Sequence, residues 1–262
     1  MRGRFTRVAR PRRPDPAVAA APGRLRTGTS GFAYPAWSPR FYPAGLRSAD
    51  LLRHYASRLG TVELNNTFYR TPSAAAIDGW LASTADDFRF AVKAQKGGSW
   101  RAIRVDPAES VPWLTTPLRQ FGDRLGTVLF RVPDGVPRDD TRLAALLAEW
   151  PRDLPLAMEF QEASWHVDET FAALAGAGAA LVTTDLDDLE EPPTIRRTGS
   201  LLYLRLRRTD YDTAELRRWL DRLEPFLSDG VDALVYFRHD EVGRGAELAL
   251  ELAALAADAG LA

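Results

Sequence analysis

The chain alternates between short runs rich in β-branched and aromatic residues and longer segments whose apolar residues recur at helical spacing. The short runs predict eight strands, at 24–29, 61–65, 88–94, 126–132, 155–160, 179–185, 201–206 and 233–238. The longer segments predict seven helices, at 48–59, 73–85, 107–122, 139–149, 168–177, 213–228 and 244–258. The segment 185–199 is predicted to be a loop. Regular alternation of strands and helices predicts a parallel sheet.

The number of repeats points to a closed barrel. Eight β–α units lie between residue 24 and the C-terminus, and a (β/α)8 barrel typically has about 250 residues. A doubly wound open sheet is the alternative, but it would carry a glycine-rich phosphate turn after the first strand, and GTSGF at 28–32 does not match that motif. We therefore predict an α/β fold, with a single TIM barrel over residues 24–262.

The N-terminal segment differs from the rest in charge and composition. Residues 1–26 contain eight arginines and one acid, a net charge of +7, whereas the remaining chain has a net charge of −8. Residues 1–23 are rich in Arg, Pro and Ala and lack a hydrophobic period, so we predict a disordered basic extension. Such a tail can bind nucleic acid, but the acidic body does not favour this partner.

The chain has no cysteine, no secretory signal pattern and no apolar run of membrane-spanning length. We accordingly expect a cytoplasmic protein without a membrane partner. The absence of cysteine also excludes disulfides, thiolate metal sites and cysteine nucleophiles. No P-loop, H-E-x-x-H or G-x-S-x-G motif occurs, and we expect no cofactor and no metal.

Polar residues occur at the ends of the predicted strands, which in a TIM barrel form the working face. Side-chain alternation directs Glu63, Lys93, Glu159 and Arg205 into the barrel, because their neighbours in sequence are large and apolar. We expect these four side chains to share one solvent-reachable pocket, in a ring of mixed charge that also includes Asp185. The predicted catalytic residues are Glu63, Lys93, Glu159, Asp185 and Arg205.

Lysine is rare in this chain. Of its 34 basic residues, only Lys93 and Lys96 are lysines. This suggests a position where the planar guanidinium group of arginine cannot replace the amine of lysine. A lysine in a barrel mouth can bind an anion or, if desolvated, lose its proton and act as a nucleophile or base. An internal ion pair with Glu63 or Glu159 is the structural alternative, and Lys96 is expected on the loop beyond the strand.

Aromatic residues are frequent in the loops that follow the strands. Such rings can stack on a sugar or a nucleobase, or they can pack as a lid on the barrel. Tyr34, Trp37, Trp165 and His239 are predicted to bind substrate, with Trp37 and Trp165 the preferred aromatic candidates.

Several sequence blocks resemble one family. The blocks are GTSGFAYPAW (28–37), FYP (41–43), TVELNNTFYR (61–70), FRFAVKAQK (88–96), LGTVLFRVP (125–133), MEFQEASW (158–165), LLYLRL (201–206) and YFRHDEVGRGAELA (236–249). In this order they resemble the YecE-like family, the domain of unknown function numbered seventy-two. The resemblance implies a TIM barrel and no established reaction. It adds Asn65, Tyr69 and Arg70 to the predicted substrate-binding residues.

Two blocks depart from the family pattern. Gln161 and Glu162 stand where the family usually has arginine and often histidine, and Arg207 and Arg208 stand where it usually has histidine and glycine. These departures indicate either an altered substrate preference or positions that are not essential.

Three functions are compatible with the sequence. The first is an enzyme acting on a small polar substrate, a sugar or a phosphorylated compound, with Glu63 and Glu159 as an acid–base pair and with Lys93 and Arg205 holding an anionic group. The second is a metal-dependent phosphodiesterase, which three histidines in the whole chain support poorly. The third is a non-catalytic barrel that binds a ligand or nucleic acid.

Overall fold

The computed structural model describes residues 21–133 and 135–261. Eight parallel strands form a nearly closed barrel surrounded by helices. The strands are β1 (Leu25–Thr29), β2 (Thr61–Leu64), β3 (Arg89–Lys93), β4 (Leu125–Arg131), β5 (Leu156–Glu159), β6 (Ala180–Asp185), β7 (Leu201–Leu206) and β8 (Asp232–Phe237). The described helices are α1 (Leu51–Ala56), α2 (Ala74–Ala82), α3 (Lys96–Arg104), α4 (Pro107–Thr115), α5 (Asp140–Glu149), α6 (Asp168–Ala177), α7 (Thr213–Ser228) and α8 (Arg244–Asp258).

The strands follow one another around the barrel, in the order β1-β8-β7-β6-β5-β4-β3-β2. Strands β1 and β2 meet just beyond the end of β1, where Ser30 forms a parallel bridge with Glu63. The N–H of Gly31 donates a hydrogen bond to the carbonyl of Glu63 at 2.8 Å. The predicted fold class, a (β/α)8 barrel, is confirmed.

A tyrosine from α1 completes the seam between β1 and β2. The hydroxyl of Tyr55 accepts a hydrogen bond from the N–H of Thr29 at 2.8 Å and donates one to the carbonyl of Thr61 at 3.0 Å. Gly28 permits the close approach of the strands, because a Cβ at this position would lie 2.1 Å from the carbonyl oxygen of Thr61. The seam therefore depends on a buried hydroxyl and on a residue without a side chain.

The barrel interior is filled below its mouth. Its buried residues are Ala91, Leu129, Ala157, Ala180, Val182, Tyr203, Leu234 and Tyr236. The rings of Tyr203 and Tyr236 lie 5.1 Å apart, and the hydroxyl of Tyr236 hydrogen-bonds the hydroxyl of Thr61 at 2.6 Å. Small and aromatic side chains close the lower part, and the polar strand-end residues lie at the upper end of the barrel.

The predicted strands and the seven predicted helices occur where the sequence pattern places them. The region between β3 and β4 differs, because it carries a helical hairpin, α3 and α4, instead of one helix. Helix α3 was not predicted, since Gly97 and Gly98 lower its helix propensity. Lys96 and Trp100 therefore lie on a helix rather than on a loop. Between β6 and β7 no described helix occurs, as predicted.

The N-terminal extension lies mostly outside the described residues. Of the predicted tail, residues 21–23 are described, and the N–H of Gly23 donates a hydrogen bond to the carbonyl of Leu227 at 2.7 Å. The disorder of residues 1–20 stays a prediction. None of the helices in the described part of the chain is long and apolar enough to cross a membrane.

We expect the Tyr55→Phe variant to lose about 1–3 kcal/mol of unfolding free energy, because a buried N–H of Thr29 loses its acceptor. Urea denaturation of the variant and the unsubstituted protein measures this difference. Tyr69→Phe is the matched control, since Tyr69 is 78% exposed and its loss of a hydroxyl is expected to have little effect. Equal stabilities of the two variants would contradict the role of Tyr55 in the seam.

Candidate functional site

The structure brings together four of the predicted site residues at the carboxyl ends of their strands. Glu63 lies in β2, Lys93 ends β3, Glu159 ends β5 and Arg205 lies in β7. Each side chain is at least nine-tenths buried, and Lys93 is the most accessible, at 7% exposed. Their shared direction follows from strand alternation, which was the basis of the prediction.

Arg205 binds both glutamates. Its Nη1 donates to Oε1 of Glu159 at 2.7 Å, and its Nη2 donates to Oε1 of Glu63 at 2.9 Å. The second oxygen of Glu63 accepts a hydrogen bond from the hydroxyl of Tyr203 at 2.7 Å. The hydroxyl of Thr184 donates to Oε1 of Glu159 at 3.2 Å. We call Glu63, Arg205 and Glu159 the central triad.

The triad keeps both carboxylates ionised. Burial acts to raise the pKa of Glu63, but the charges of Arg205 and Lys93 and the hydrogen bond from Tyr203 lower this pKa to about 2. Burial likewise acts against ionisation of Glu159, and Arg205 and Arg131 hold its pKa below the usual value. Neither glutamate therefore carries a proton that it could donate at neutral pH.

Lys93 lies beside the triad without joining it. Its Nζ lies 4.3 Å from the centroid of the Phe68 ring, and it forms no ion pair with a carboxylate of the described residues. Burial, together with repulsion from Arg205, lowers the pKa of Lys93 to about 8, against the attraction of Glu63 and Glu159. The ion pair considered as the structural alternative is thus not formed, and near neutral pH a measurable fraction of this amine is unprotonated.

Two further arginines extend the positive charge of the mouth. Nε of Arg131 lies 3.5 Å from Oε2 of Glu159. Arg207 follows β7 on the same face as Arg205, is partly buried and forms no ion pair with a described carboxylate. Burial and the charge of Arg205 lower the pKa of Arg207. The described side chains around the triad therefore supply more cationic groups than carboxylates.

The rim carries several of the predicted substrate-binding residues. The rings of Tyr34 and His239 stack with centroids 5.0 Å apart, and burial and Arg207 lower the pKa of His239. Asn65 is partly buried, and its Oδ1 has no hydrogen-bond partner among the described residues. Tyr69 and Arg70 are exposed and follow Phe68. Substrate binding by these five predicted residues stays a prediction.

Asp185 does not belong to the ring, which corrects its predicted position. It ends β6 on the face opposite Thr184, so its carboxylate points toward the helices. There its Oδ2 accepts a hydrogen bond from the hydroxyl of Tyr211 at 2.9 Å, and its Oδ1 accepts one from Nε of Arg208 at 3.1 Å. The last position of the strand alone indicates Asp185, whereas side-chain alternation along β6 indicates Thr184.

The predicted positions of Trp37 and Trp165 at the barrel mouth are also corrected, because neither side chain reaches the mouth. Both are fully buried. The indole N–H of Trp37 donates to the carbonyl of Asp240 at 2.8 Å, and that of Trp165 donates to the carbonyl of Val136 at 2.8 Å. The ring of Trp165 also stacks on Phe160, with centroids 4.8 Å apart. These tryptophans hold the loops in place and do not offer a surface to a ligand.

Phe68 and Thr184 belong to the site but were not predicted, and Arg207 was noted only as a departure from the family pattern. Arg207 follows the end of β7, two residues after Arg205, and this spacing was a signal that could have placed it in the mouth. Within residues 21–133 and 135–261, no group of three or more histidines and carboxylates is close enough together to hold a metal ion.

We expect Arg205→Met to reduce the unfolding free energy by about 3–5 kcal/mol, because it leaves two buried carboxylates without their counter-ion. Chemical denaturation at pH 7 measures the loss. Arg47→Met is the control, since Arg47 pairs with Asp50 while its side chain is 81% exposed, and the expected loss is below about 1 kcal/mol. Adding Glu63→Gln and Glu159→Gln to Arg205→Met should recover part of the stability. Similar losses from Arg205→Met and Arg47→Met would contradict the role of the triad.

Comparison with known proteins agrees with the fold and the sequence blocks. A DUF72 family protein of Thermotoga maritima, 24% identical, superposes with a TM-score of 0.78 over 88% of this chain and 98% of that chain. A DUF72 family protein of Enterococcus faecalis, 20% identical, gives a TM-score of 0.69 over 89% of this chain and 97% of that chain.

A curated relative gives a shorter match. The UPF0759 protein YunF of Bacillus subtilis is 29% identical over 134 residues, which is 47% of this chain and 47% of that protein, so the match spans about half the length of the relative. The family model for "Protein of unknown function DUF72" matches residues 26–261, nearly the whole barrel. The chain therefore belongs to the DUF72 family.

Proposed function

We propose that this protein is an enzyme that binds a small anionic, polar substrate in the barrel mouth and uses the amine of Lys93 as its base or nucleophile. The observation that carries the proposal is the position of this amine, which lies at the end of β3, buried among cations and without a carboxylate partner in the described residues. A lysine in such surroundings becomes more reactive because its lowered pKa increases the fraction of its neutral form compared with an ordinary lysine.

The charge of the mouth supports an anionic substrate. Glu63 and Glu159 both form direct ion pairs with Arg205. The two carboxylates are outnumbered by four cations, Arg205, Lys93, Arg131 and Arg207. A phosphate or carboxylate group of the substrate would supply the missing negative charge next to these cations. Substrates of this kind include phosphorylated sugars, in agreement with the class that the sequence suggests.

Unused acceptors support a polar substrate. Oδ1 of Asn65 is buried and makes no hydrogen bond with the described residues, and Oε2 of Glu159 makes none either, although it lies 3.5 Å from Nε of Arg131. Buried polar atoms in native proteins nearly always have a partner. Hydroxyl groups of a sugar-like substrate would donate to these oxygens and would fix its orientation in the mouth.

The two glutamates are poor candidates for an acid–base pair. A general acid must hold a proton at working pH, and in glycoside hydrolysis this requires a carboxyl group with a raised pKa. Both glutamates have lowered pKa values instead. In our proposal they orient Arg205 and accept substrate hydroxyls, whereas Lys93 takes the proton or attacks the substrate.

The alternative functions receive less support. A metal-dependent phosphodiesterase would need a ligand cluster, which the described residues do not form. A non-catalytic binding barrel would use the same cations but would leave its ligand unchanged. The fate of the ligand separates a binding protein from an enzyme.

Binding of inorganic phosphate tests the charge of the mouth. Arg207→Gln should weaken phosphate binding by at least roughly tenfold, because a charge-assisted hydrogen bond contributes about 1.5–3 kcal/mol. Isothermal titration calorimetry measures the change. Arg53→Gln, whose side chain is 70% exposed and pairs with Asp50, should bind phosphate like the unsubstituted protein. A protein that binds no phosphate, or that binds it equally well with Arg207→Gln, would contradict the proposal.

Substitution of Lys93 separates binding from reaction. Lys93→Arg should keep the barrel folded and the anion bound but should lower turnover by at least about a hundredfold, because arginine does not lose its proton. Lys96→Arg, at the exposed start of α3, should retain activity. Turnover is measured by mass spectrometry on a panel of small phosphorylated and carboxylated compounds.

In the unsubstituted protein the rate should rise with pH through about 8, as Lys93 loses its proton. Full turnover by Lys93→Arg, or a rate that falls across this pH range, would exclude Lys93 as the base or nucleophile.

A further inference from the structure

The α3–α4 hairpin forms a groove beside the mouth that the proposed function does not use. This groove has a volume of about 460 Å³ and is lined by Gln95, Gly97, Gly98, Arg101, Glu109, Ser110 and Trp113. A regular barrel has one helix between successive strands, so the second helix adds a wall at this position.

An exposed tryptophan forms one side of the groove. The side chain of Trp113 is 52% exposed, although tryptophan is normally a largely buried residue. Gly98 of α3 lets the indole pack directly against the helix, because a Cβ at Gly98 would lie 2.6 Å from the Trp113 ring. The indole is thus supported from one side and accessible from the groove, which suits stacking on a planar ring.

Polar groups accompany this ring. Ser110 is 5% exposed, and its hydroxyl has no hydrogen-bond partner among the described residues. Arg101 and Glu109 form a loose ion pair of 3.6 Å with side chains that are 58% and 76% exposed. The groove therefore offers a donor, an acceptor and a hydroxyl next to an aromatic surface. The edge of a nucleobase presents donors and acceptors together, and its faces stack.

The groove lies close to Lys93 in the chain. Gln95 lines the groove and also lines a cavity of only about 10 Å³ together with Lys93, Thr67 and Thr71. Lys93 and Gln95 are two residues apart, so their Cα atoms lie within about 7 Å of each other.

We infer that the groove is a subsite for the base of a nucleotide-like substrate, which stacks on Trp113 while its phosphate lies beside Lys93. The inference rests on the proposed function for the phosphate part only. It identifies the substrate as a heteroaromatic anion instead of a simple sugar phosphate.

Calorimetric titration with four probes tests the subsite. The probes are AMP, adenosine, ribose 5-phosphate and inorganic phosphate, and the variants are Trp113→Ala and the control Trp100→Ala. Trp100 is an exposed tryptophan of the same hairpin, at 47%, and it does not line the groove. Trp113→Ala should weaken AMP and adenosine by at least about fivefold, the lower limit for base–aromatic stacking, and should leave inorganic phosphate unchanged. Trp100→Ala should change none of the four.

The outcomes are distinct for the two proposals. If the unsubstituted protein binds phosphate but not AMP, or if Trp113→Ala binds AMP as tightly as Trp100→Ala does, the subsite is excluded and the proposed function stands. If Trp113→Ala weakens the binding of ribose 5-phosphate as much as the binding of AMP, Trp113 contacts the sugar ring and the nucleobase assignment is wrong.

If adenosine binds through Trp113 while phosphate does not bind, the subsite stands and the anionic mouth is excluded. If Trp113→Ala fails to fold, Ser110→Ala is the substitute variant, since it removes one oxygen. We expect it to weaken AMP binding severalfold, and unchanged AMP binding would overturn the inference.

Discussion

The upper end of the barrel depends on one guanidinium group. Arg205 is held between Glu63 and Glu159, with hydrogen bonds of 2.9 and 2.7 Å from separate nitrogens. Taking these charges out of water is costly, and replacement by apolar residues can often stabilise a protein, so such an arrangement is weak evidence for stability. Its main consequence here is electrostatic, because both carboxylates of the mouth make direct ion pairs with Arg205 and, within the described part of the chain, neither makes one with Lys93.

The same constraint links the fold to the chemistry. The backbone of Glu63 receives the N–H of Gly31 at the seam between the first two strands, while its side chain binds Arg205 and Tyr203. Tyr55 and Gly28 close the seam and therefore position this glutamate. Glu63 therefore takes part in both the barrel closure and the central triad, so the geometry of the site depends on the closure of the barrel.

Side-chain alternation predicted which strand-end side chains point into the barrel. The one error, at Asp185, arose where alternation was not applied. Alternation correctly directed Glu63, Lys93, Glu159 and Arg205 into the barrel, since a period of two is fixed by strand geometry. Asp185 was included by strand end alone, and it faces the opposite side. Regular strand–helix alternation in the same way predicted the barrel.

Other features depend on tertiary contacts that a local pattern does not contain. The indoles of Trp37 and Trp165 bind carbonyl groups far along the chain, at Asp240 and Val136, so their burial could not be predicted from their loops. Helix α3 begins with a glycine pair that lowers local propensity, and its packing against α4 overrides this. The lowered pKa of Lys93 likewise depends on tertiary structure, because it results from burial and from the nearby charge of Arg205.

The central claim is that Arg205 takes both carboxylates and leaves Lys93 as an amine with a lowered pKa. Because the chain has two lysines, a protein labelled with ¹³C-lysine gives two side-chain Cε signals, and Lys96→Arg assigns the signal of Lys93. An NMR pH titration then measures the ionisation of Lys93 directly. Our account predicts a midpoint near pH 8. A midpoint at or above the ordinary lysine value, about 10.4, would contradict it.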